Sequence, residues 1–419
     1  MFYKLIFVSL WSRRTSIILM LIAISLSVSL LFGVEHLRRE AKESFTKTIS
    51  GTDLIVGARS GQVNLLLYSV FRIGNATNNI SWESYKDIIL DKNVEWSIPI
   101  SLGDSHKGFR VMGTTETFFE KYRYGNKMLL SFKQGQKFKN VYDVVLGSQV
   151  AKELKYKVGQ KIVLSHGVGK VSFSKHDDKP FEIVGILEPT GTPVDRTVHI
   201  SLAGIEAIHI DWQQDGAKIP GLKISAEEAL KHDLNPKVIT AFFIGLKSKV
   251  ATFNLQRKIN TYKQEPLVAI IPGLALVELW RIVAFVENLL VVISAFVVVT
   301  GFIGMITTLL AGLNERRREI AIFRSIGANP TYIFLLLMVE SIFLATIGCL
   351  IGIINVALIL TLLKPLLITQ YGLFISANFF NTYMLMIVGL IIFVAAILGL
   401  IPSIVAYKCS LKDGLNIKA

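Results

Sequence analysis

The chain has 419 residues, of which 52% are hydrophobic, and its mean hydropathy is positive. That is too apolar for an ordinary water-soluble protein of this length, so membrane-spanning segments are the first expectation. The net charge of +14 comes from basic residues scattered along the chain with no nucleic-acid-binding motif beside them, and the two cysteines, Cys349 and Cys409, form neither a metal spacing nor a disulfide framework.

In chain order, residues 1–15 read as a basic cytoplasmic tail, and residues 16–34 carry no charge. Crossing a hydrocarbon core takes about 20 apolar residues, so 16–34 is the first expected membrane helix. Its apolar run is longer than a signal-peptide core, and no small-x-small cleavage site precedes Glu35, so it reads as a retained anchor. Residues 35–50 continue the helix as a charged stalk, with Leu37, Ala41, Phe45 and Ile49 at fourfold spacing. Residues 57–80 are apolar, aromatic and bounded by glycine. Two readings stand for that stretch: Leu66 and Phe71 touch a lipid or lipoprotein beside a lateral opening, or they belong to a buried helix of a supporting collar. The collar is favoured.

Beyond it the pattern changes to short β-like runs at 53–56, 94–99, 144–147, 161–165, 171–174, 181–187 and 198–201. Helical patches fall at 82–90, 116–121, 148–154, 202–212, 226–230 and 249–262. Strands and helices without regular alternation indicate α+β. The expected division is into two lobes, 82–240 and its flanks, with 266–280 forming a descent that matches the stalk. The whole stretch 35–280 is of soluble composition.

Three more membrane helices are expected at 281–312, 331–363 and 383–406, joined by 313–330 and 364–382 and followed by a tail at 407–419. Lys4, Arg13 and Arg14, then Arg316, Arg317, Arg318 and Arg324, then Lys408, Lys412 and Lys418 concentrate positive charge on one side. The 364–382 loop offers only Lys364. The positive-inside rule therefore places both termini and the Arg-rich loop in the cytoplasm and 35–280 outside. Glu287 and Glu340 are the acids within the apolar segments, where carboxylates are costly and usually paired. For Glu340 a role in packing or coupling is preferred to a proton relay. Gly301, Gly304, Gly348 and Gly352 allow close helix approach, read as internal packing in preference to a dimer seam.

Candidate chemistry is sparse. His166 and His176 with Asp177 and Asp178, or His199 and His209 with Asp211, lack the short spacing of a helix-borne or knuckle metal site, and packing histidines are the preferred reading. No nucleophile elbow, Ser-x-x-Lys set or His-Glu-x-x-His is present. Gly167, Gly169 and Lys170 mimic a phosphate loop but lack its earlier glycine and its closing hydroxyl residue. No catalytic residue is assigned, and no metal or cofactor is expected in this chain.

The segment from Glu315 to Asn329 therefore stands out: charged, amphipathic, and wedged between two apolar runs. On a helix Arg316, Glu319, Ile320 and Phe323 fall on neighbouring turns, Gly327 breaks the helix, and Pro330 opens the next. A loop that merely fixes topology needs only its arginines, so the ordered acid–base–apolar pattern favours docking to a partner.

Three regions carry a family resemblance: the basic entry at Arg13 and Arg14 into the first helix; Glu315 through Gly327 running on to Glu340, Gly348 and Gly352; and Ile401, Pro402 and Ser403 with the polar tail. Together they resemble permeases of the MacB/FtsX/LolC type, sometimes called type VII ABC transporters. Lys157 to Val163, Phe181 to Glu188 and Asp195 are similar to their periplasmic core domain. The resemblance implies four transmembrane helices plus a large α+β extracytoplasmic domain, a MacB-like periplasmic core, between helices 1 and 2. It further implies a bacterial inner-membrane location and a homodimer or a heterodimer with a related permease. A cytoplasmic ABC ATPase would bind the ATP and magnesium. With no Walker A motif in this chain, that ATPase is expected to be a separate polypeptide. Glu315, Arg316, Arg317, Arg318, Glu319, Ile320, Phe323, Arg324 and Gly327 would then form the ATPase-coupling helix, relaying movement to the outer domain for export or extraction of a substrate. Two other readings are an FtsX-like mechanical regulator of a periplasmic hydrolase and a membrane-anchored assembly protein with no ATPase. A periplasmic or outer-membrane partner stays open, as does the substrate.

Overall fold

The computed structural model describes residues 14–167, 178–211, 224–315, 320, 322, 325, 327–371 and 382–412. Among the described residues four helices are long and apolar enough to cross a membrane: α1 (Arg14–Thr48) near the start and, after the sheet domain, α9 (Pro272–Glu315), α10 (Pro330–Tyr371) and α11 (Thr382–Lys412). Their apolar windows need a lipid surround, because most of each window is left unburied by the chain itself. Both α9 and α10 open on proline, whose missing N–H costs nothing in a helix's first turn. The helical unit comprises α1 up to Glu40 with α9 from Ala284, α10 and α11; the sheet unit lies between Ala41 and Val283.

Two expectations are corrected at these boundaries. Lys364 and Pro365 read as the start of a loop, but the α10 backbone continues through them to Tyr371. Residues 266–280 are expected to form the descent that matches the helical stalk. Instead Leu267–Ile270 is a strand, because its apolar alternation pairs it into the sheet, and the helix begins only at Pro272.

The sheet unit starts with β1 (Leu54–Ala58), a short helix α2 (Gln62–Leu66) that widens into a π-turn over Leu67–Phe71, β2 (Ile80–Ser81), α3 (Trp82–Ile89), β3 (Val94–His106) and β4 (Phe109–Thr114). It continues with α4 (Thr117–Lys121), β5 (Arg123–Tyr124), β6 (Met128–Leu129), β7 (Phe132–Gly135), β8 (Asp143–Leu146), α5 (Ser148–Leu154), β9 (Lys161–Ile162) and β10 (Ser165–His166). Then come β11 (Phe181–Leu187), β12 (Thr197–Ser201), α6 (Leu202–His209), α7 (Ala226–Ala229), β13 (Val238–Ile239), β14 (Ala241–Leu246), α8 (Thr252–Asn260) and β15 (Leu267–Ile270). The expected strand at 171–174 lies outside the described residues.

The main sheet runs β15-β1-β14-β3-β4-β12-β8-β11-β7. Its first four strands are antiparallel to their neighbours. Chain order through them is β1-α3-β3 and then β14-α8-β15, two interlocked split βαβ units in the order of a ferredoxin-like plait. Everything from Ser101 to Thr240 is inserted between the plait's second and third strands. The thirteen-residue β3 makes the junction: Val94 to Ile100 pair with β14, and Ser101 to His106 pair with β4. The lobe boundary thus falls inside β3 and not at Trp82, since α3 packs on the plait. Lys107 and Gly108, with φ of 48° and 86°, close the β3–β4 hairpin as a two-residue turn that needs positive φ at both positions.

Alternation along the plait strands sends side chains to two apolar layers. Leu54, Val56, Phe242, Ile244, Leu267 and Ala269 meet Tyr85 and Ile88 of α3 and Leu255 and Ile259 of α8. Ile55, Ile98, Ile100, Phe243 and Ile270 join the opposite layer, with Leu65, Leu66 and Tyr68 above them and Met112, Phe118 and Val145 of the insertion. With both faces covered, the strands read as unbroken apolar runs, which is why β14 lacks an alternating signature in the sequence.

Candidate functional site

Within the helical unit, α1 is gripped by α9 and α10 through small residues and hydroxyls. The Ser27 hydroxyl lies 2.8 Å from the Ala23 carbonyl of its own helix and 3.0 Å from the Val297 carbonyl of α9. The Ser29 hydroxyl lies 2.7 Å from the Ser25 carbonyl and 3.0 Å from the Gly352 carbonyl of α10. Such links require the backbones to approach closely, and the glycines permit it. A Cβ on Gly301 would stand 2.7 Å from Ser27 Oγ, one on Gly348 would stand 2.5 Å from Ile24, and one on Gly352 would stand 2.8 Å from Val28. Gly304 differs from its three companions: nothing lies within 4 Å of the place its methyl would take in an alanine. Gly399 of α11 closes similarly on Ser341 of α10, a contact that no spacing in the sequence announces.

The two acids of the apolar segments have distinct surroundings. Arg38 Nη2 sits 2.8 Å from Glu35 Oε1, and Arg38 Nη1 sits 3.8 Å from Glu287 Oε2. Glu287 therefore faces a cation supplied by α1, a pairing that no spacing in the sequence reveals. Glu340 is buried, 3% exposed, and borders a cavity of about 340 Å³ whose other walls include Ser16, Met20, Thr308 and Gly312.

Of the proposed coupling segment, Ile320 and Gly327 are described. Ile320 packs against Leu313, Ile333, Leu337 and Ala406, so its side chain joins α9, α10 and α11. Gly327 has φ of 95°, the left-handed conformation expected of a helix-ending glycine. Arg316, Arg317, Arg318, Glu319, Phe323 and Arg324 lie outside the described residues, as does the side chain of Glu315.

In the sheet unit, Leu66 is 0% and Phe71 is 7% exposed, both inside the layer that α2 forms with Ile55 and Phe243. They offer no surface to a lipid or lipoprotein, and the collar reading replaces the contact reading. The reason is local: Gly57 leaves β1 without a side chain, which lets Leu65 and Tyr68 settle directly upon it.

Of the residues proposed as metal sets, His199, His209 and Asp211 have partners of other kinds. His199 is fully buried, stacked 5.3 Å from Phe118, with Nδ1 3.3 Å from the Val145 carbonyl. Burial, then the charge of Arg72, holds its pKa down at about 3. His209 Nε2 lies 3.4 Å from Asp104, whereas Asp211 pairs with Lys179 at 2.5 Å, both ends of that pair almost fully buried. Among the described residues no group of three or more His, Cys, Asp or Glu side chains gathers as a metal site. His176 and Asp177 lie outside them. The Asp195 carboxylate accepts from Thr190 N at 2.9 Å and Gly191 N at 2.8 Å, pinning the turn before β12. Burial raises its pKa even though those backbone bonds pull it down.

Comparison with known proteins fits these two units. Residues 16–262 match the family described as MacB-like periplasmic core domain, and residues 291–411 match the one described as FtsX-like permease C-terminal. An ABC transporter permease of Bacillus subtilis (strain 168), YtrF, is 30% identical over 137 residues. That alignment covers 30% of this chain and spans only 31% of the relative's length. The periplasmic region of MacB from Actinobacillus actinomycetemcomitans aligns with 54% of this chain and 92% of its own, at 10% identity and a TM-score of 0.34. The extracellular domain of the noncanonic ABC-type transporter YknZ from Gram-positive bacteria aligns with 52% of this chain and 99% of its own, at 10% identity and a TM-score of 0.30. A core-domain match across more than half of the chain, followed by a permease match through the last three membrane helices, places the protein in a family: it belongs to the ABC transporter permeases of the MacB/FtsX type.

Proposed function

We propose that this chain is the membrane subunit through which a separate cytoplasmic ABC ATPase moves a periplasmic domain, for export or extraction of a periplasmic or membrane-derived substrate. ATP and magnesium would be bound by the ATPase, and the chain itself does no chemistry. Two copies, or one copy with a related permease, would face two ATPase subunits. Both termini and the segment from Glu315 to Gly327 would lie in the cytoplasm, with that segment as the docking handle.

The observation that best supports a mechanical role is where the membrane helices enter the sheet. The strand that follows α1 is β1, the strand that precedes α9 is β15, and these two strands pair with each other. Ile55 stands opposite Ile270, Val56 opposite Ala269, Gly57 opposite Val268 and Ala58 opposite Leu267. A relative shift of α1 and α9 thus loads one antiparallel ladder at the root of the domain. The helices are long enough to transmit it. At 1.5 Å per residue, α1 is roughly 52 Å and α9 roughly 66 Å long, against about 30 Å of hydrocarbon.

The test is a triple replacement, Glu315→Ala, Glu319→Ala and Phe323→Ala, in the full chain. The expected outcome is normal membrane insertion with loss of co-purification with the ATPase and of permease-stimulated ATP hydrolysis. Undiminished co-purification would refute docking through this segment.

A further inference from the structure

The sheet unit carries a cationic, apolar-tipped patch that neither the coupling mechanism nor the core explains. Leu90, at the end of α3, is 82% exposed; Val250 and Phe253, at the start of α8, are 87% and 67% exposed. A single exposed apolar side chain is ordinary, whereas several gathered in one patch mark a surface that meets a partner. Their neighbourhood is fixed by polar contacts on both sides. Lys258 Nζ of α8 binds Asp91 Oδ2 at 2.8 Å, Lys247 N donates to the Asn93 carbonyl at 3.0 Å, and Lys247 Nζ donates to the Lys92 carbonyl at 2.8 Å. These ties hold residues 91–93 against Lys247 and Lys258, on the two neighbouring segments that carry the apolar tips. The buried sides of the same helices are fully used: Ile88, Leu255 and Ile259 pack into the plait. The exposed tips are surplus to folding.

Charge chooses the occupant. Lys92, Lys247, Lys249, Arg257 and Lys258 are all exposed around the tips. Of the acids nearby, Asp91 is bound by Lys258 and then the backbone N–H of Asn93, which hold its pKa below the usual carboxylate range; Asp53 accepts from Leu246 N, and the exposed Asp87 accepts from the Tyr262 hydroxyl. We propose that this patch is a binding surface for anionic phospholipid, the apolar tips entering the headgroup–acyl boundary while the lysines and Arg257 meet phosphates. Short apolar side chains ringed by Lys and Arg are the arrangement that lies in a bilayer interface, and each basic residue near an anionic leaflet adds to the attraction. The patch is also tethered: only β15 separates α8 from α9, a membrane-spanning candidate, so a bilayer is always at high effective concentration. An acidic protein partner would satisfy the charges, yet it would not by itself account for the three exposed apolar tips.

The experiment places a photoreactive group at the tip. Phe253→p-benzoylphenylalanine is made in the full chain, reconstituted in nanodiscs of phosphatidylglycerol or of phosphatidylcholine, irradiated, and digested for mass spectrometry. The same replacement at Met128, an exposed residue of the inserted lobe, is the control. The expected result is a lipid adduct at position 253 in phosphatidylglycerol discs and little at 128. Its yield should fall about fivefold or more in phosphatidylcholine and in the Lys92→Gln, Lys249→Gln, Arg257→Gln variant, since each lost cation weakens attraction to an anionic leaflet. Those three side chains are exposed, so folding is preserved. Absence of a lipid adduct overturns the proposal. So does equal yield in both lipids with no effect of the charge variant, or an adduct to a second protein chain in its place.

Discussion

Gly352→Ala and Gly304→Ala are chemically the same change on two membrane helices, and the structure assigns them opposite signs. At Gly352 the new methyl would stand 2.8 Å from Val28 Cγ1, 2.9 Å from Val28 Cβ and 3.0 Å from the Ser25 carbonyl. Unstrained contact needs about 3.5–4.0 Å, so α1 and α10 must part by roughly 0.7 Å. That separation would stretch the Ser29 hydroxyl's 3.0 Å link to the Gly352 carbonyl beyond hydrogen-bond range. Overpacking costs about 1–3 kcal/mol and a lost interhelical hydrogen bond about 0.6 kcal/mol. Against this, alanine gains up to about 1 kcal/mol of helix propensity. With the full propensity gain, the net expectation is a loss of about 0.6–2.6 kcal/mol for Gly352→Ala. At Gly304 the methyl meets nothing within 4 Å, so only the propensity gain remains. Reversible unfolding of the full chain in mixed detergent micelles would measure both. If the two variants shift the midpoint alike, the assignment of Gly352 to the α1–α10 contact is wrong.

Two further outcomes are expected in the sheet unit. Lys179→Met leaves Asp211 buried without its cation and should cost about 3–5 kcal/mol in chemical denaturation, whereas adding Asp211→Leu should recover most of it. For His199, burial sets the folded pKa, about 3, far below its unfolded value, so the unfolded state takes up the proton first. The stabilisation is complete above the unfolded pKa near 6.5 and is lost as pH falls from there towards about 3. By pH 5 that amounts to about 2 kcal/mol. Thermal melts of wild type and His199→Phe at pH 7 and pH 5 should show the variant losing less stability on acidification; an equal loss would refute this cause.

The membrane helices were legible in the sequence because hydropathy integrates over about 20 residues and tolerates single polar interruptions. Their ends were less so: Lys364 and Pro365 look like a terminus, yet α10 carries on to Tyr371, since apolar residues resume beyond them. In the sheet unit, α3, α5 and α8 could be read from amphipathic spacing, but β4, β14 and β15 were missed. A strand covered on both faces has no period to detect, and Phe242, Phe243 and Ile244 give only a continuous apolar run. The site shows the same limit. Gly301, Gly348 and Gly352 follow from spacing, whereas the Arg38–Glu287 approach and the Ser27 and Ser29 crosslinks join residues hundreds of positions apart, and nothing local announces them. Leu66 and Phe71 left two readings open for a related reason: an apolar, aromatic stretch looks the same whether it awaits a ligand or covers a sheet.

The insertion also explains why the α3–α8 side of the plait is the one left available. A ferredoxin-like plait has one sheet face covered by its own two helices and one bare. Here the bare face is where the layer shared with the inserted lobe forms, through Met112, Phe118 and Val145 against Ile98, Ile100 and Phe243. On the helical face Leu202 and Ile239 are the members of this core that the described part of the insertion supplies. The insertion thus consumes the surface that a free plait would use for pairing with a partner, and among the described residues Leu90, Val250 and Phe253, at the end of α3 and the start of α8, stay exposed. Leu90, Val250 and Phe253 project from that side, so the fold that buries one face of the plait also dictates where an external surface must be met.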